Sequence, residues 1–171
     1  MTKIEAQGTS RGMDWACLIM DGGWRCGYVR IPEGHPLHGV SYNAPAPGVT
    51  WDDLKNEAIG KRGVLEVFCS SLDEPPRLGV LFNVHGSLTF FDDLAPIGLP
   101  GWWLGFDCNH AGDRADPELA SDGSKLYAGW SFQREGEIRS REYVIFECVQ
   151  LIEQIVTRYG EPATQAVQES A

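Results

Sequence analysis

Three short segments carry most of the side chains that could do chemistry: Gly34-His-Pro-Leu-His-Gly39, Val84-His-Gly-Ser-Leu-Thr89 and Gly105-Phe-Asp-Cys-Asn-His-Ala-Gly-Asp113. His85, Asp107, His110 and Asp113 offer imidazole nitrogen and carboxylate oxygen, a donor set that suits zinc, manganese or iron. Three such ligands with an open position would activate water, and His85, Asp107 and His110 form the leading set. Without a metal the same three side chains could act as acid and base. No H-E-x-x-H helix is present, so spacing alone does not orient these groups. His35, Trp103 and Asp113 are the expected ligand contacts. Trp103 adjoins the polar loop and could stack on a base or sugar. The expectation is that the loops holding His35, His85 and residues 107–113 converge on one pocket.

Cys108 raises a second chemistry, a base-activated thiolate. Its neighbours Asp107 and Asp113 oppose it, because a negative field raises a thiol pKa. Successive residues leaving a strand point to opposite sides, so Asp107 should face the pocket and Cys108 the core.

The elements that must hold these loops read as an α+β pattern. Trp15 to Ile31 spells a hairpin around Asp21-Gly22. As a two-residue loop this pairs Ile19 with Trp24, Cys17 with Cys26 and Trp15 with Tyr28, one apolar face suited to a core. In that register Cys17 and Cys26 stand close enough for a disulfide under oxidation. Thr50 with Asp53 begins a short helix that runs through Trp51, Leu54, Ala58 and Ile59 towards Gly60. Val64–Cys69, Gly79–Val84, Leu88–Phe91 and Trp102–Phe106 have the length and branched or aromatic content of strands. Residues 114–124 look like a mobile surface loop. Val144, Cys148, Leu151 and Ile155 recur at helical spacing between a Ser140 N-cap and a Gly160 stop, which gives a long helix over 141–159. The fold expected is one α+β domain over 1–160, an antiparallel sheet with an N-terminal hairpin packed against the long C-terminal helix and one short helix. Residues 161–171 are expected to be a flexible, polar C-terminal tail. Arg134, Arg139 and Arg141 read as a solvated face of mixed charge.

Composition narrows the function classes. The 171 residues carry 24 acidic against 14 basic side chains, a net charge of −10. That balance disfavours non-specific nucleic-acid binding. No apolar run is long enough to cross a membrane, and residues 1–8 lack the apolar centre of a signal peptide, so a cytoplasmic location is expected. Five cysteines without a C-x-x-C pair argue against a zinc ribbon. A P-loop is absent from the sequence.

The patterns Gly27-Tyr-Val-Arg-Ile-Pro-Glu-Gly-His-Pro-Leu-His-Gly39, Val84-His-Gly-Ser-Leu-Thr89 and Trp102-Trp-Leu-Gly-Phe-Asp-Cys-Asn-His-Ala-Gly-Asp113 resemble a family of short bacteriophage and prophage accessory proteins. The resemblance spans about residues 24–157 and implies a phage setting, in a host cytoplasm, with no activity to carry over. The family tends to have an aromatic residue at His38 and a second glycine at Ser87. Two functions are expected from the site. One is a hydrolase, with or without a metal, acting on a small polar or phosphorylated molecule. The other is a counter-defence or host-takeover protein that grips a nucleotide-like ligand, or covers a host protein, without turnover.

Overall fold

A computed structural model describes residues 2–54, 74–121 and 135–162. Five antiparallel strands form one sheet: β1 (Lys3–Ser10), β2 (Met13–Ile19), β3 (Arg25–Ile31), β4 (Phe90–Leu94) and β5 (Leu99–Asp107), in the order β1-β2-β3-β5-β4. The long helix (Arg141–Tyr159) packs on β2 and β3, as an α+β fold requires. Single helical turns occur at α1 (Trp51–Leu54) and α2 (Leu78–Leu81), so the long helix is α3.

The hairpin forms, but one residue out of the expected register. Trp15 pairs with Val29, Cys17 with Gly27, Leu18 with Cys26 and Ile19 with Arg25. The cause is the loop. Met20 N–H donates to Trp24 O at 2.9 Å and Gly23 N–H to Met20 O at 2.8 Å, closing a three-residue turn with Gly23 at φ +87°. A glycine in the left-handed region is what such a turn needs, and one added loop residue exchanges the faces of one strand against the other. Cys17 therefore packs under α3 and Cys26 on the opposite face, both as free thiols, so the pair suited to a disulfide does not form.

Both faces of the sheet are apolar. Against α3 lie Met13, Cys17, Val29, Ile31, Leu104 and Phe106, with Val144, Leu151, Ile152 and Ile155 from the helix, all nearly inaccessible. Each such aliphatic side chain contributes about 1.5–3 kcal/mol of burial before conformational entropy opposes it. On the other face Ala16, Leu18, Cys26, Tyr28, Leu94 and Trp103 make a second cluster. Residue 27, opposite Cys17, is glycine because a β-carbon there would overlap Phe106 and crowd the Cys148 sulfur.

Four further sequence expectations change. β1, which the sequence reading does not include, is joined to β2 by the turn at Arg11 and Gly12, both at positive φ. The run Gly79–Val84 is no strand: its start lies in α2, whose turn puts Leu78 and Leu81 on one buried side. A short apolar run does not distinguish the two forms by periodicity. Residues 114–121 are not a free surface loop, since Asp116 N–H donates to Gly23 O and Ser121 N–H to Asp21 O, each at 2.9 Å, and Ala120 is buried. The third strand run is placed slightly later, at Phe90–Leu94, instead of Leu88–Phe91. The expected helix beyond Leu54, the strand Val64–Cys69, Arg134 and most of the tail lie outside the described residues.

The Ser140 cap forms as expected, and the Thr50 capping box forms in its Asp53 half, with the Thr50 hydroxyl donating to Asp53 instead of capping the helix. Asp53 accepts from the Thr50 amide at 2.8 Å, and the Ser140 hydroxyl accepts from Tyr143 N–H at 3.1 Å. α3 stops at Gly160, at φ +85°.

Candidate functional site

The candidate site forms where the C-terminal end of β5 meets the first turns of α3. Asp107 closes β5, and Cys108 N–H donates to Arg25 O at 2.9 Å, tying the loop to the start of β3. The chain then turns back. Asp113 N–H donates to His110 O, and the Asp113 carboxylate accepts from His110 N–H, both at 3.0 Å. Residues 112–114 lie beside Glu137 through paired backbone hydrogen bonds. Gly136 permits this contact, because a β-carbon there would stand 2.5 Å from Asp113 O.

Asp113 is the centre of the cluster, only 1% exposed. Its Oδ2 lies 2.7 Å from His85 Nε2, and its Oδ1 accepts from Arg139 Nε at 2.8 Å. Burial pushes this carboxyl up, but Arg139, His85 and the His110 amide outweigh burial and hold it below the usual carboxylate range. Arg139 also binds Glu137, and its guanidinium lies 5.1 Å from the centre of the Tyr143 ring.

His85 is held at three points. Its Nε2 faces Asp113, its Nδ1 lies 3.0 Å from the Tyr143 hydroxyl, and its backbone N–H donates to the buried Glu147 at 2.9 Å. Tyr143 and Glu147 are four residues apart and so share one face of α3. His110 is the more open imidazole, with a third of its side chain accessible. Its Nδ1 is inaccessible and has no hydrogen-bond partner among the described residues, lying 3.7 Å from Asp107 Oδ1 and 4.0 Å from Asp113 Oδ2. The His110 ring rests on Gly86, at φ +64°, while Ser87 at +75° occupies the region where glycine is favoured.

The structure thus brings His85, Asp107, His110 and Asp113 together, and the three that group most tightly include Asp113 where Asp107 was expected. Ring nitrogens of His85 and His110 and a carboxylate oxygen of Asp113 lie within 4.8 Å of one another, a cluster that could hold a metal ion. Asp107 stands beside this trio instead of in it, accepting from Asn109 N–H at 3.0 Å and from the Thr89 hydroxyl at 3.3 Å. Cys108 faces the core, 2% exposed, and burial followed by the Asp113 charge pushes its thiol up, against a thiolate nucleophile.

Two expected contacts do not join the cluster. His35 packs on Tyr159, the last residue of α3, with ring centres 5.8 Å apart. Sixteen residues of helix separate Tyr159 from Tyr143, about 24 Å at 1.5 Å per residue. His35 is buried, its Nδ1 accepts from Leu37 N–H at 3.1 Å, and burial lowers its pKa. Trp103 lies four residues up β5 from Asp107, about 13 Å. It is 3% exposed and donates from its indole to Leu99 O at 2.9 Å. It lines a cleft of about 260 Å³ with Asp14, Trp15 and Arg30, and a larger cleft of about 490 Å³ lies between Leu81, Phe82 and the outer face of α3. Neither is lined by the His85 cluster.

Tyr143 and Glu147 are site residues that the sequence reading does not single out, and Arg139, expected on a solvated face, is instead mostly buried as the ion-pair partner of Asp113. Glu147 precedes Cys148 within the apolar stripe of α3, and an acidic residue at a buried helical position signals an internal partner. Arg139 is hidden in a run of alternating charges. No helix among the described residues is long and apolar enough to cross a membrane. Comparison of the chain with family models, with curated proteins and with solved structures finds no match, so the reading of this site rests on its own geometry.

Proposed function

We propose that the protein is a metal-assisted hydrolase of a small polar or phosphorylated molecule, with His85, His110 and Asp113 as the ligands of one divalent ion. The observation that carries this reading is the grouping of three donor atoms within 4.8 Å, in a cluster where His110 Nδ1 has no hydrogen-bond partner among the described residues. Two imidazoles and one carboxylate suit zinc, manganese or iron, and leave coordination positions for water and substrate. The surroundings favour a cation: Asp107, Asp113 and Glu137 outnumber Arg139, whose guanidinium is already engaged by Asp113 and Glu137. A bound ion of this type lowers the pKa of its water towards neutrality. Asp107, held by Asn109 and Thr89 next to His110, is then the base that takes the water proton. His110 lies on the accessible side, where a substrate would approach. The resemblance noted in the sequence would place this activity in a bacteriophage or prophage setting.

A second reading is favoured by one observation, that both ring nitrogens of His85 already have protein partners. The cluster would then be a preorganised grip for a small polar or nucleotide-like ligand, without turnover. Metal analysis separates the two. Protein purified without chelator and dialysed against zinc should retain one equivalent and hydrolyse a chromogenic phosphate or carboxylate ester. Zinc at background, in wild type and in His110→Ala alike, would remove the metal from the proposal and leave the grip.

A further inference from the structure

We infer, on the ion-binding reading above, that Tyr143 is a positioning residue that sets the tautomer of His85 and thereby makes it a metal ligand. In the geometry of the cluster, His85 Nε2 lies 2.7 Å from Asp113 Oδ2, and the same carboxylate accepts from Arg139 Nε and the His110 amide. A carboxylate only accepts, so Nε2 carries the proton, and in the neutral ring Nδ1 is then an acceptor, served by the Tyr143 hydroxyl at 3.0 Å. A metal ion needs the Nε2 lone pair, and for a neutral ring that is possible only with the proton on Nδ1. Ion binding at His85 is therefore a tautomer exchange. Nε2 loses its proton, Nδ1 gains one, and the ring releases none on balance.

Tyr143 suits both states because a phenol can donate and accept. It donates to Nδ1 before the exchange and accepts from Nδ1–H after it, which is the oxygen partner that metal-bound histidines commonly have on their second nitrogen. A carboxylate there would serve only the second state. The Tyr143 ring is fixed independently of its hydroxyl: it stands edge-on to His85, with centres 5.6 Å apart at 89°, and packs beside Arg139. Tyr143→Phe therefore removes the switch and leaves the packing.

The experiment combines zinc titration with 15N spectra of the histidine side chains. In wild type, His85 should show the Nε2–H pattern before zinc and the Nδ1–H pattern after one equivalent. Tyr143→Phe should bind zinc roughly 10- to 100-fold more weakly. Unchanged affinity in Tyr143→Phe, or His85 remaining Nε2–H in zinc-loaded wild type, overturns the role of Tyr143. Wild type that binds no zinc overturns the ion-binding reading itself. The spectral measurement uses the unaltered chain and does not depend on the variant folding.

Discussion

The imidazole of His110 lies against the backbone of Gly86, so closely that a β-carbon at residue 86 would overlap the ring. Gly86 also has φ +64°, closed to most side chains. Residue 86 is thus glycine twice over, for its conformation and for the ring it supports. Gly86→Ala should cost about 2–4 kcal/mol, combining left-handed strain with overpacking. It should also weaken zinc binding by displacing His110. Gly34 separates the two effects, since it has φ +81° but nothing among the described residues within 4 Å of its missing β-carbon. Gly34→Ala should cost only about 1 kcal/mol and leave zinc binding unchanged. Urea denaturation and a zinc titration of both variants check the pair; equal zinc affinity in Gly86→Ala and wild type would dissociate His110 from the ion.

Asp113 and Asp107 divide binding from chemistry. Asp113→Asn keeps the volume but removes the charge facing Arg139 in a buried site, and should lose about 1–3 kcal/mol together with most zinc affinity. Asp107 is a third exposed, so Asp107→Asn should change stability by less than about 1 kcal/mol and retain zinc. Its ester hydrolysis should be abolished. Calorimetric zinc binding decides the matter: loss of zinc in Asp107→Asn with retention in Asp113→Asn would exchange the two roles.

Cys108 is a core residue one position beyond a site residue. Cys108→Ala should lower stability by about 1 kcal/mol or somewhat more, as a modest core truncation does, and keep zinc binding and turnover. A well-folded but inactive Cys108→Ala would bring back a thiolate mechanism.

The parts of this fold that the sequence makes legible are those where one local rule dominates. The apolar stripe from Val144 to Ile155, bracketed by Ser140 and Gly160, admits one reading, and α3 forms there. The opposite-facing Asp107 and Cys108 follow from the two-residue period of β5. The hairpin register was less secure, because Asp21-Gly22-Gly23 fits both a two- and a three-residue loop, and apolar residues on both faces remove the pattern that would choose between them. β1 was readable only faintly: Ile4, Ala6 and Gly8 alternate with polar residues, but two of the three are small. At the site, proximity between His85 and Asp113 is set by where α3 begins, through Arg139, Tyr143 and Glu147, and such long-range contacts leave no spacing in the sequence. His35 shares the residue types of the other loops but lies at the far end of α3.

The last prediction concerns the tie between β1 and the segment entering the site. Glu5 is the extra residue of a bulge in β1, and its carboxylate meets Arg25 through Nε at 2.6 Å and Nη2 at 2.8 Å. Arg25 Nη1 also donates to the carbonyl of Arg139 at 2.9 Å, so this ion pair supports the residue that holds Asp113. Both side chains are mostly buried. The hydrogen bonds from Arg25 outweigh burial and lower the Glu5 pKa below its ordinary value of 4.5. A carboxyl with a depressed folded-state pKa stabilises the protein above the unfolded-state pKa, and that contribution is lost as pH falls through the folded-state value. Glu5→Gln should therefore cost about 1–3 kcal/mol at pH 7. The gap between variant and wild type should narrow steadily as pH is lowered from about 4.5. Urea unfolding of the two chains at several pH values measures it, and a gap that stays constant down to pH 3 would show that the Glu5 carboxylate is not linked to folding through Arg25.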